Sequence, residues 1–123
     1  MILPRLREPN LRRAAQNALA PPQEVSVPGA LFVAGKFGNT LSKVDLASGS
    51  VAITVDSCAN PHELATSPDE SHLALACYGG RTVDIFRTSD LGKVASVNLG
   101  EGARPHGIVW HANGDIYATA EGR

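Results

Sequence analysis

"NPHELATSPDESHLALA", residues 60–76, returns as "RPHGIVWHANGDIYATA", residues 104–120. The dipeptides Pro61-His62 and Pro105-His106 lie 44 positions apart. Each opens a short apolar run, which is followed by a turn and a second apolar run. The step persists outside these stretches. Leu31, Leu73 and Ile116 open equivalent runs at intervals of 42 and 43 residues. Thr40-Leu41 answers to Thr82-Val83, Gly49 to Gly92, and Val51 to Val94.

From residue 29 onward the pattern is one of strands. Apolar or alternating runs at 30–35, 40–46, 50–55, 62–67, 72–78, 81–87, 93–99, 106–111 and 115–120 are separated by turn residues. No long segment there carries the apolar period of a helix. "SPDE" (67–70) sets Pro68 at the second position of a type I turn, where its fixed φ fits. "NGD" (113–115) supplies Asn-Gly, a strong hairpin signal. A period near 43 residues with about four strands in it is that of a β-propeller blade. One such sheet cannot bury its faces alone, and stacking around an axis supplies the core. The expected class is therefore all-β, with antiparallel four-stranded blades of a β-propeller in an incomplete ring. Runs 30–35, 40–46 and 50–55 read as the last three strands of one blade. Residues 61–99 read as a full blade, and 105–120 as the first two strands of the next. Propellers close with about four to eight blades, so about two and a half imply either a piece of a longer protein or a ring completed by self-association.

Residues 1–28 read differently, as an N-terminal tail and linker to the partial propeller of 29–123. "NLRRAAQNALAPP" has the marks of one short helix, with Asn10 as N-cap and Pro21-Pro22 as stop. It is too short to be stable alone. The tail is basic through Arg5, Arg7, Arg12 and Arg13, but it lacks the continuous apolar core of a secretory signal.

Composition narrows the function classes. The chain is 43% hydrophobic and 19% charged with a net charge of −1, which gives no basic footprint for nucleic acid. No apolar stretch reaches the length of a membrane-spanning helix. There is no Gly-rich phosphate loop, no recognisable nucleophile signature, and no motif that calls for a cofactor.

In order along the chain, "NTLSKVDLASGSVAITV", "PHELATSPDESHLALACYGG" and "RTVDIFRTSDLGKVASVNLGEGARPHGIVWHANGDIYATAEG" resemble the YVTN-type β-propeller repeat. That repeat runs loosely as Pro-x-Gly, an apolar strand, Ser-Pro-Asp-Gly, and later a strand of the form Asn-Thr-Val-Ser-Val-Ile-Asp. Glu63 and Glu70 stand at its common Gly positions, and Lys43 interrupts the expected alternation. The resemblance extends to YncE-like bacterial proteins, which implies a periplasmic or secreted setting. It does not assign an activity.

Candidate site residues follow from the repeat. His62 and His106 hold one repeat position at the start of the innermost strand, on one rim of the central channel. They read either as ligands for an anion or metal, or as hydrogen-bonded pins between blades. One histidine per blade is expected to keep the imidazoles outside coordination distance of each other. Asn60 and Glu121 are the further channel-rim candidates. Cys58 and Cys77 flank the 61–78 hairpin. They read as buried thiols compatible with either redox compartment, as a disulfide if the 58–61 loop folds back, or with His62 as an incomplete metal set. The remaining carboxylates, Asp84 among them, are expected at turns and strand ends, and the aromatic residues in packing between sheets. Two functions compete. One is a propeller module that binds an unknown ligand or protein partner. The other is part of a propeller enzyme of lactonase or quinone-linked dehydrogenase type, with its site at the channel mouth.

Residues 1–23 are expected to be dispensable to the repeat fold. A chain lacking them should keep its β-type circular dichroism spectrum; full loss of that spectrum would make them part of the fold.

Overall fold

The computed structural model describes residues 27–123. The expected tail and its short helix fall outside the described residues, apart from 27 and 28. Among the described residues there are nine strands and no helix. They are β1 (Ala30–Gly35), β2 (Thr40–Asp45), β3 (Ser50–Asp56), β4 (Pro61–Thr66), β5 (His72–Cys77), β6 (Thr82–Arg87), β7 (Lys93–Asn98), β8 (Pro105–Trp110) and β9 (Ile116–Ala120). All pairings are antiparallel, and neighbours in sequence are neighbours in the sheet. The sheets are β1-β2-β3, β4-β5-β6-β7 and β8-β9. β4 touches β1 on one side and β8 on the other. The three sheets stand side by side as successive blades, an incomplete ring with one four-stranded blade at its centre.

Period-2 alternation explains why the central blade holds the assembly together. Successive strand residues point to opposite faces. On β5, Leu73, Leu75 and Cys77 alternate with Ala74 and Ala76, and all five are buried. Leu73 and Leu75 join Leu41, Phe86 and Leu91 in one cluster, with Phe32, Ala34, Ile53 and Val55 of the first sheet against it. Ala74 and Ala76 join Val83, Ile85 and Ile108 in a second cluster, with Trp110 and Ile116 of the third sheet. Each fully buried Leu or Phe contributes about 1.5–3 kcal/mol. The outer sheets bury only one face each. Leu31 and Val33 of β1, Val109 of β8 and Tyr117 of β9 point outward and are exposed. β8-β9 covers only part of the face it packs on. Val83, Val97, Leu99, Ile116 and Ala118 line an apolar groove of about 360 Å³ there.

Several local expectations are corrected. In the Asn-Gly turn only the glycine is left-handed. Gly114 has φ +93° while Asn113 does not join the positive-φ residues. Glu70 takes φ +60° at the place where the YVTN-type repeat has Gly, so a non-glycine residue occupies the left-handed region there. Asp69 supports that turn. The Ser67 and Ser71 hydroxyls each donate to Asp69 Oδ1 at 2.7 Å. These bonds, with one from the Ser71 amide, hold the Asp69 carboxyl at about 2. Lys43 interrupts the alternation because it reaches across to the central blade, donating to the Thr88 carbonyl at 2.9 Å. Not every aromatic ring packs between sheets: Phe37 is 93% exposed.

Asp84 is not at a turn. It lies mid-strand on β6, opposite Leu75, and is 2% exposed. Lys93 Nζ donates to it at 2.8 Å and Ser96 Oγ at 2.6 Å. Burial works against its ionisation, but the hydrogen bonds from Lys93, Ser96 and Thr82 outweigh burial and hold its pKa below the ordinary value. A depressed carboxylate pKa stabilises the fold above the unfolded-state value, about pH 4, and that contribution is lost as pH falls through the folded-state value. Asp84→Ala is therefore expected to cost about 1–3 kcal/mol at neutral pH. Denaturant melts of both proteins from pH 7 to pH 2 should show the gap shrinking below about pH 4. A gap independent of pH would contradict an ionised Asp84.

Candidate functional site

Both inner strands begin with the same local device. Asn60 and Arg104, the residues before Pro61 and Pro105, have φ +51° and +49°. A residue before proline is ordinarily pushed to extended backbone, and these two depart from that preference. The reversal turns the lead-in carbonyls toward the end of the next strand. Asn60 and Ala59 accept from the amides of Tyr78 and Gly79 at 3.2 and 3.0 Å. Arg104 and Ala103 accept from Glu121 and Gly122 at 3.1 and 3.0 Å. The backbones come so close that a Cβ on Gly79 would lie 2.9 Å from the Ala59 carbonyl, and one on Gly122 would overlap the Gly102 carbonyl. Gly is required at both places.

The same fold-back carries Cys58 to Cys77. The two form a disulfide, with Cα atoms 5.7 Å apart and a sequence separation of 19. The thiol and metal-set alternatives for this pair therefore do not apply.

After each proline the strand register is irregular, between Pro61 and Leu64 and between Pro105 and Ile108. These stretches present His62 and His106 to one another. Their ring centroids are 3.8 Å apart. The expectation that one histidine per blade keeps the imidazoles apart fails, because β4 and β8 are adjacent and both histidines sit at the strand start. The pin role is not what His62 Nδ1 performs either: that atom is buried and has no hydrogen-bond partner. Glu63 completes the group. Its Oε1 lies 3.9 Å from His62 Nδ1 and 3.6 Å from His106 Nδ1. Burial lowers the pKa of His62. The charges of His106 and Lys36 lower it further, against the opposing pull of Glu63 and Glu121.

A second set of equivalent positions borders the first. Lys36, Tyr78 and Glu121 each directly follow the second strand of their repeat. Lys36 Nζ stands 5.3 Å from the Tyr78 ring centroid. The Glu121 carboxylate faces the Tyr78 hydroxyl, and their interaction raises the tyrosine pKa and lowers that of the glutamate. The Tyr78 ring also packs on both imidazoles, at 5.5 Å from His62 and 5.8 Å from His106. On its other side is a cleft of about 500 Å³ lined by Asn60, Tyr78, Gly79, Gly80, Arg81, Gly102 and Arg104. Of the four residues that sequence reasoning placed on the rim, His62 and His106 meet, Glu121 acts on them through charge, and Asn60 lines the cleft. Asn60 Oδ1 is buried without a hydrogen-bond partner. Glu63, Tyr78, Lys36 and Arg104 were missed. Repeat equivalence to Glu121 was the available signal for Lys36 and Tyr78. Substitution of the repeat's Gly was the signal for Glu63.

No protein-family profile matches the chain, and no curated protein matches it in sequence. Solved structures do match. A hydrazine synthase of Kuenenia stuttgartiensis aligns over 80% of this chain and 32% of its own, with a TM-score of 0.67 and 18% identity. The dihydro-heme d1 dehydrogenase NirN, solved in complex with DHE, aligns over 65% of this chain and 18% of its own, with a TM-score of 0.58 and 19% identity. Both are β-propeller proteins, and the likeness is one of fold. The chain spans about a third or less of the length of either.

The disulfide anchors the loop that delivers His62. Cys58→Ala/Cys77→Ala should lower stability by about 2–4 kcal/mol in chemical denaturation. It should also shift the His62 and Tyr78 resonances. An unchanged midpoint with unchanged resonances would show that the crosslink does not shape the rim.

Proposed function

We propose that the chain is a piece of a YVTN-type, YncE-like β-propeller that acts as a binding module, taking a small anionic ligand at one rim of the central channel. One observation carries this reading: repeat-equivalent residues of three blades converge there, yet they differ in chemistry. A purely structural repeat position tends to keep one residue type. Here Lys36, Tyr78 and Glu121 occupy equivalent places as cation, phenol and carboxylate. The cleft beside them is lined by two arginines, Arg81 and Arg104, and by Gly79, Gly80 and Gly102. Arginine's planar fork suits carboxylate and phosphate.

The outward apolar residues Leu31, Val33, Val109 and Tyr117 support further blades in the working protein, from a longer chain or from a second copy. The Cys58–Cys77 disulfide supports an oxidising compartment, in keeping with a periplasmic or secreted setting. A second reading, a piece of a propeller enzyme with its site at the channel mouth, is favoured by the grouping of two imidazoles and a carboxylate on the same rim.

Inorganic phosphate is a suitable first probe. Titrated into the isotope-labelled chain, it should move the amide signals of residues 78–81 and 102–106 together. Arg104→Ala should weaken that response by about tenfold, the scale of a lost charged hydrogen bond. Shifts confined to β7, or none up to the solubility limit, would contradict a rim binding site.

A further inference from the structure

We infer that His62, Glu63 and His106 form a binding site for a divalent transition metal of the zinc and copper class, built across the interface between two blades. The inference rests on the rim reading above and names what one part of that rim holds.

The donor geometry is the first support. One ring nitrogen of each imidazole and a carboxylate oxygen of Glu63 all lie within 4.8 Å of one another. The two nitrogen-to-oxygen separations, 3.9 and 3.6 Å, exceed hydrogen-bonding distance, so no proton bridges them. Tetrahedral metal bonds of about 2.0–2.2 Å place neighbouring donors about 3.3–3.6 Å apart. Closing the group onto an ion therefore asks for side-chain movements of at most about 1 Å. Two imidazoles and one carboxylate suit zinc and copper, whereas magnesium and calcium prefer sites made of oxygen.

The second support is the departure from the repeat. His62-Glu63 and His106-Gly107 are equivalent dipeptides, and only the first carries an acid. The glycine of the next blade leaves room for it. A Cβ built on Gly107 would meet Glu63 Oε2 at 3.8 Å. The carboxylate thus lies over the space that the neighbouring copy leaves empty, and it faces both imidazoles from there. Were Glu63 a solvated surface acid, nothing would require its oxygen to sit between two nitrogen donors.

The third support is His62 itself. Its Nδ1 is buried with no partner, and a desolvated lone pair left unpaired is costly. A bound cation satisfies it. Tyr78 packs on both rings and fixes their planes. His106 and Glu63 are partly exposed, which leaves the ion an open side. Tyr78 also borders the arginine-lined cleft, so a ligand oxygen reaching from that cleft has a coordination position to fill.

The test uses the full, tag-free, chelator-treated chain. Zinc titration by calorimetry should show one equivalent bound in the micromolar range, with copper tighter and magnesium silent. Glu63→Gly installs the residue that the second copy already carries, so the fold should survive with its melting curve in place. That variant and His106→Gln should each lose about tenfold or more in zinc affinity. Zinc binding unchanged in both variants, or absent from the parent chain, would overturn the inference. Phosphate titration of the same samples separates the two claims. Phosphate shifts at the cleft without zinc binding would sink the metal site and leave the rim reading standing. Neither response would sink both.

Discussion

The central sheet can hold its neighbours only because β5 and β6 are buried on both faces. A strand between two blades has no solvent side, so its alternation is not apolar against polar but large against small. Leu73 and Leu75 fill the space toward β1-β2-β3, and Ala74 and Ala76 let β8 approach from the other side. Asp84, a charged group buried within this layer, is matched by Lys93 and Ser96. An unmatched carboxylate there would carry the cost of a buried charge with no compensation. Removing either face of the central sheet would leave a layer of Leu or Ala in water with nothing to replace the contact.

That stacking sets the geometry of the rim. Adjacent inner strands bring residues one repeat apart into contact, which is why His62 and His106 meet although they lie 44 positions apart in sequence. The left-handed residue before each proline, and the glycine that receives the turned-back carbonyl, keep the inner strands starting at the same height. The scaffold is thus supplied by what the copies share, and the chemistry by the positions at which they differ. Glu63 against Gly107 and Lys36, Tyr78 and Glu121 against one another are those positions.

Nearly all of the fold was legible because it is written twice. The period, the β-branched runs and the turn residues placed every strand, and the counts per blade followed. Turn conformation was less legible. Asn-Gly read as a two-residue hairpin, but only Gly114 turns left-handed, and Glu70 shows that a charged residue occupies the same region elsewhere. The site was half legible. Repeat equivalence singled out His62 and His106, but a one-dimensional repeat does not tell how close two neighbouring inner strands come. The Cys58–Cys77 crosslink was legible only as one alternative, conditional on the 58–61 loop folding back, and Asn60 supplies that reversal just before Pro61. Asp84 was misread because alternation in a two-faced strand gives no sign of which polar residue is inside.

Both the stacked blades and their shared rim depend on β5 facing two different sheets. Side-chain proton contacts in solution test it most directly. Methyl groups of Leu73 and Leu75 should show nuclear Overhauser effects to Phe32 and Ile53, and methyl groups of Ala74 and Ala76 to Ile108 and Trp110. Contacts from both sets to one and the same sheet, or solvent-exposed Ala74 and Ala76 methyls, would contradict side-by-side blades and with them the rim that the blades build.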